Sequence, residues 1–155
     1  MPRFLRLRRT AAAFFLAVAC GLAAGQNAPA APHSHSVMVT RLYTGADGQS
    51  HIDQVPTVLK TSPGESGVES SDPLKMGDAY IVRGAPGMFE TWHNADQKRY
   101  IVVVSGEAEV TTTAGESARI VPGHLYLAED LTGKGHTFRV LGDQEWVALF
   151  VNFAH

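Results

Sequence analysis

From Val37 onward, β-branched and aromatic residues alternate with polar ones in short runs, and nearly every run stops at a cluster of Gly, Pro, Asp or Asn. A period of two turns successive side chains to opposite faces, so each run buries one face only and needs a second layer to bury it against. No segment shows the 3.6-residue apolar spacing of an amphipathic helix. The pattern predicts strands over 37–43, 50–55, 78–83, 88–92, 100–105, 107–113, 117–121, 124–128, 137–140 and 145–153. The turns carry their own chemistry: Gly45-Ala46-Asp47-Gly48, Ser105-Gly106, Ala114-Gly115 and Pro122-Gly123 supply either a positive φ or a preset one. So many short strands call for a β-sandwich or a closed barrel. Residues 61–71 break the pattern, with Val68 as their one apolar side chain. A stretch of that length inside a compact domain is a lid or a disordered segment, and its composition favours disorder.

The first 25 residues read as a secretory signal. Arg3, Arg6, Arg8 and Arg9 precede a short apolar core around Phe14, Phe15 and Leu16, and Ala23-Ala24-Gly25 offers small residues for cleavage. Cys20, after Ala17-Val18-Ala19, gives a competing reading as an acylated lipoprotein cysteine, although lipoprotein sites favour a larger aliphatic than Ala17. Residues 26–36 have linker composition, and 37–155 read as one domain of ordinary size. A mature chain starting near Gln26 has no cysteine, so its stability rests on a packed core. The signal takes four of the 13 basic residues and none of the 15 acidic ones, leaving nine against fifteen, a formal charge of minus six. An acidic chain without a basic run argues against nucleic acid or an anionic membrane as partner and for a small-molecule ligand. No stable membrane span is expected, and the localisation expected is secreted or periplasmic.

Two histidine-bearing segments carry the chemistry. The run from Gly87 through His93, Ala95 and Arg99 to Gly106 resembles the first motif of the cupin superfamily, G-x5-H-x-H-x3-E-x6-G. His93 takes the first histidine position, but Ala95 stands at the second and Arg99 at the acidic one. The second motif, G-x5-P-x-G-x2-H, is stretched: counted from Gly123, His136 arrives two residues later than the pattern asks. The segment Ala128-Glu129-Asp130 leading through Thr132-Gly133 to Gly135-His136, together with residues 41–51, is similar to a small single-domain cupin group. The resemblance covers nearly all of the predicted mature chain and implies a double-stranded β-helix, or jelly-roll, barrel. It also implies a homodimer, with the strand at 37–43 as the segment that pairs with a second subunit.

Strand alternation sorts the candidate site. If His93 points inward, Thr91 and Phe89 do too and Glu90 and Trp92 point out; Arg99 brings Ile101, and His136 brings Phe138. The ligand-binding candidates are therefore Arg99, Phe89, Thr91, Ile101 and Phe138, around His93 and His136 as an acid/base pair. Cupin centres typically use three imidazoles and a carboxylate to hold a divalent transition metal. Arg99 cannot ligate, being always charged and a donor only. A metal site would need His93 and His136 plus a replacement carboxylate, for which Glu129, Asp130 and Glu90 are the candidates, Glu129 or Asp130 first because they open the extended loop. No cofactor is favoured. Arg99 either clamps an anion in the cavity or pairs with Asp96 or Glu107 at the rim. Three functions stay open: a metal-independent isomerase or lyase acting on a small organic acid or enolisable carbonyl compound, a metal-dependent cupin oxygenase or isomerase, and a non-enzymatic binding or sensing protein.

Overall fold

The structure is a computed structural model that describes residues 35–154. The predicted signal, Cys20 and nearly all of the predicted linker lie outside the described residues. Within them the chain is all-β, a jelly-roll of two packed sheets. No helix among the described residues is long and apolar enough to cross a membrane.

The strands run β1 Ser36–Thr44, β2 Ser50–Val58, β3 Lys60–Thr61, β4 Glu69–Ser70, β5 Met76–Gly84 and β6 Phe89–His93, then β7 Arg99–Ser105, β8 Glu107–Thr112, β9 Ser117–Ile120, β10 Leu125–Glu129, β11 His136–Leu141 and β12 Trp146–Phe153. One sheet has the order β2-β1-β10-β7-β12-β5 and the other β6-β11-β8-β9. The ladders are antiparallel except for β1 against β10, which pair in parallel from Val39↔Leu125 to Tyr43↔Glu129. Strands adjacent in space but distant in sequence are what close a jelly-roll.

Alternation decides what each sheet contributes to the core. Leu42, Val103, Tyr126, Trp146 and Ala148 from the larger sheet meet Ala108, Val110, Ile120 and Val140 from the smaller. Each buried aliphatic side chain contributes about 1.5–3 kcal/mol, and the core holds together without a disulfide in the described residues. Pro56, which has no N–H to donate, sits on β2, an edge strand paired on one side only. Gly106, at φ +73°, makes the tight turn from β7 to β8, where a Cβ would overlap the Glu145 carbonyl.

Every strand read from the sequence is present, with ends shifted by a few residues. Two expectations need correction. Residues 61–71 carry the β3–β4 hairpin, held by Ser62 N–H to Val68 O at 2.9 Å and by the Lys60–Asp72 ion pair at 2.8 Å. Strands two residues long are too short to leave a periodic signal. The strand at 37–43 is paired on both sides, by β2 and β10, so it has no free edge to offer a second subunit.

Candidate functional site

Between the sheets lies a cavity of about 360 Å³. Its walls are mostly apolar, with Leu42, Ile101 and Trp146 facing Val110, Ile120 and Phe138. Two histidines, three charged side chains and Asn94 supply most of its polarity.

His136 opens β11 and is buried. Its Nδ1 lies 2.7 Å from Asp130 Oδ2, and the same oxygen accepts the Ser50 hydroxyl at 2.8 Å. Asp130 and Ser50 are both fully buried. Against a carboxylate, Nδ1 is the protonated nitrogen, so the opposite edge of the ring presents Nε2. The backbone carries Asp130 into place. Asn94 Nδ2 donates to the Asp130 and Thr132 carbonyls at 3.0 and 2.7 Å, fastening the loop after β10 to the end of β6. Gly135, at φ +78°, passes so close to the His93 carbonyl that any side chain would overlap it.

His93 faces His136 directly across the β6–β11 ladder, with ring centroids 4.4 Å apart. Its Nδ1 is 2.8 Å from the Thr91 carbonyl, which makes Nδ1 a donor and again leaves Nε2 as the other edge. That Nε2 is 3.5 Å from Glu90 Oε2. Glu90 lies on the inner side because the ladder is bulged: His136 pairs with His93, but Phe138 pairs with Glu90, so three steps on β6 oppose two on β11. The bulge overturns the alternation expected from the sequence. Glu90 lines the cavity, whereas Phe89 and Thr91, expected inside, do not; Phe89 is exposed and lies beneath the Arg139 guanidinium.

Arg99 is buried and lines the cavity with Ile101 and Phe138. Its guanidinium forms an ion pair with Asp96, donates to the Tyr80 hydroxyl at 3.1 Å and to the Gln97 carbonyl at 3.3 Å, and stacks over Phe150 at 5.0 Å. Of the two rim partners left open by the sequence, Asp96 is the one engaged; Glu107 pairs with Arg119 at 2.7 Å. Of the three carboxylates considered as a third metal ligand, Glu90 lies beside an Nε2 atom, that of His93, and the other two do not. Glu129 is held by Lys98 at 2.5 Å and Arg41 at 3.4 Å, and Asp130 sits behind His136 on its Nδ1 side. Among the described residues no three His, Cys, Asp or Glu side chains are grouped so as to hold a metal ion. The donors as folded, two imidazoles and a carboxylate beside one of them, do not fit the metal centre the fold implies.

The sheet order, with His93 and His136 facing each other at the cavity between the sheets, decides the architecture. The fold is of cupin type. No protein-family model matches the chain, and no curated protein matches it. Among solved structures it is similar to a sugar phosphate isomerase of the cupin superfamily from Silicibacter pomeroyi, with 20% identity over 79% of this chain and 73% of that one and a TM-score of 0.41. It is also similar to a Salmonella typhimurium protein described as ethanolamine utilization protein Q, with 17% identity over 79% and 97% and a TM-score of 0.39. A Neisseria meningitidis protein matches at 14% identity over 57% and 91%, with a TM-score of 0.38.

Proposed function

We propose that this protein is a small-molecule-binding cupin, acting after export from the cytoplasm, whose cavity moves protons on a small organic acid or enolisable carbonyl compound without a metal. The observation that carries this reading is the buried chain Ser50–Asp130–His136, which fixes the His136 tautomer and leaves its Nε2 as a base at the cavity. His136 takes a proton from the carbon beside the carbonyl, and the C–H electron pair becomes the C=C bond of the enol. The carbonyl oxygen takes a proton from His93 Nε2, with Glu90 beside that nitrogen to balance the imidazolium. Return of the first proton to another carbon of the conjugated system, with the oxygen proton going back to His93, completes an isomerisation that needs no co-reactant. Burial strengthens the Asp130–His136 contact that orients the base.

The test follows hydrogen–deuterium exchange at the methylene of phenylacetone in D₂O by NMR, using the full chain. Exchange above the buffer rate is expected, falling by about 10²-fold or more in His136→Gln and surviving a chelator. Exchange abolished by chelation and restored by a transition metal would refute the metal-free reading. Binding without exchange in either condition would leave a binding protein instead of an enzyme.

We also infer a homodimer, through the outer face of the larger sheet near the β5 edge. The registers place Ile81, Leu149 and Val102 in one row across β5, β12 and β7, and Ile81 and Val104 are 73% and 63% exposed. The Arg83–Glu145 ion pair flanks that row, and a two-fold axis passing between the two side chains would set each charge of one copy against its opposite in the other. A second copy of the chain is the occupant that meets both features.

A further inference from the structure

The lining of the cavity selects among ligands by what its polar groups are already doing. Resting on the proton-transfer reading above, we infer that the compound it takes is a neutral, largely apolar carbonyl compound with a cyclic or aromatic body, to the exclusion of organic acids and sugar phosphates.

Charge is the first reason. Each group of the lining that can carry positive charge already lies beside a carboxylate: Arg99 is joined to Asp96, His93 has Glu90 at 3.5 Å and His136 has Asp130 at 2.7 Å. A ligand carboxylate or phosphate must therefore compete with Asp96 for Arg99 and still face Glu90. A neutral carbonyl meets neither obstacle.

Hydroxyl chemistry is the second. Two hydroxyls on the larger sheet's side of the cavity are already engaged, and the one buried donor there without a partner among the described residues is the Trp146 indole N–H. The Tyr126 hydroxyl accepts the Val121 N–H at 2.9 Å and donates to the Arg119 carbonyl at 3.0 Å, and Thr40 Oγ1 accepts from Gln54 at 2.8 Å. Burial raises the Tyr126 phenol above its usual range, the Val121 bond offsetting part of the rise, so it stays a neutral hydroxyl. A polyol body would lose its water there and find a single open donor, the Trp146 indole N–H, for its several hydroxyls. Phe138 and Trp146 meet edge-on at 4.9 Å and Trp146 and Phe150 at 6.1 Å, a wall shaped for a flat apolar body. A lone carbonyl, by contrast, has a place between His93 and His136.

Three probes decide it by calorimetry and ligand-observed NMR on the full chain: phenylacetone, phenylpyruvate, which has the same body with a carboxylate, and glucose 6-phosphate. Phenylacetone is expected to bind at least about tenfold more tightly than phenylpyruvate, with no binding of the sugar phosphate. Ala118→Phe, which fills the cavity from β9, should weaken phenylacetone by a similar factor. Asp96→Asn, at an exposed side chain that frees Arg99, should improve phenylpyruvate by about tenfold and leave phenylacetone within a few-fold. Phenylpyruvate or glucose 6-phosphate binding as tightly as phenylacetone to the unaltered chain overturns the inference, as does failure of all three probes to bind. Tight phenylacetone binding with no deuterium exchange sinks the proton-transfer reading and leaves the ligand class standing. Exchange on phenylpyruvate at equal or better affinity does the reverse.

Discussion

The pairing of His136 with Asp130 can be read as a coupling energy. Asp130 is fully buried, its Oδ2 holds both protein donors, and its Oδ1 has no partner among the described residues. Replacing His136 by Leu keeps the space filled and strands the carboxylate with the Ser50 hydroxyl alone. Taking one of two hydrogen-bond donors from a buried carboxylate costs about 1–3 kcal/mol, at the upper end for a charged acceptor. Asp130→Asn alone retains the shape and an acceptor for Ser50 and His136, but sets an amide N–H₂ where Oδ1 now lies unpartnered, a loss of about 1–3 kcal/mol. With both changes made, the stranded charge is gone, so the double variant should be at least about 1.5 kcal/mol more stable than the sum of the two losses implies. Urea unfolding of the four proteins, followed by tryptophan fluorescence, measures this directly. Losses that add to within about 0.5 kcal/mol would refute the reasoning, because they would mean that Asp130 does not depend on the His136 imidazole and so does not set its tautomer.

Gly135→Ala should cost about 1–3 kcal/mol, because the residue has φ +78° and its Cβ would overlap the His93 carbonyl; chemical shifts of the His93 ring should move with it. The His51 imidazole is raised above its ordinary 6.5, chiefly by its hydrogen bond to Asp47, and Asp47 is lowered below 3.8, chiefly by the Gln49 N–H. The histidine's contribution is therefore complete below pH 6.5 and lost as pH rises through the raised value, while that of Asp47 is present above 3.8 and lost as pH falls through the lowered one. NMR titration should put the His51 midpoint above 6.5 and return it towards 6.5 in Asp47→Asn. Sedimentation should show a dimer that Ile81→Lys and Val104→Glu convert to monomer without a change in circular dichroism; a monomer at every concentration would remove the inferred interface.

The architecture was legible because strand alternation and turn glycines are local, and a chain with ten such runs has few ways to bury them. The partners of each site residue were not legible, since they come from strands far apart in sequence: Ser50 reaches Asp130 across 80 residues and Arg99 finds Tyr80 across 19. Alternation itself failed at one place. On β6 a strict period of two turns Glu90 away from His93, but the bulge opposite His136 and Phe138 brings both to the cavity. A bulge depends on the partner strand, so nothing within residues 89–93 announces it.

The departures from the cupin motifs acquire a joint meaning from the fold. Arg99 at the acidic position is held by Asp96 and Tyr80, and Ala95 lines the cavity where a second imidazole would otherwise stand. The loop after β10, which carries the two residues by which the second motif overruns, is where Asp130 turns inward to reach His136 Nδ1. Ligands absent from the first motif and a carboxylate gained behind the second change the same histidine in one direction. His136 has fewer neighbours with which to share a cation, and its Nδ1 is fixed as a donor to Asp130, which leaves Nε2 as the edge open to a ligand.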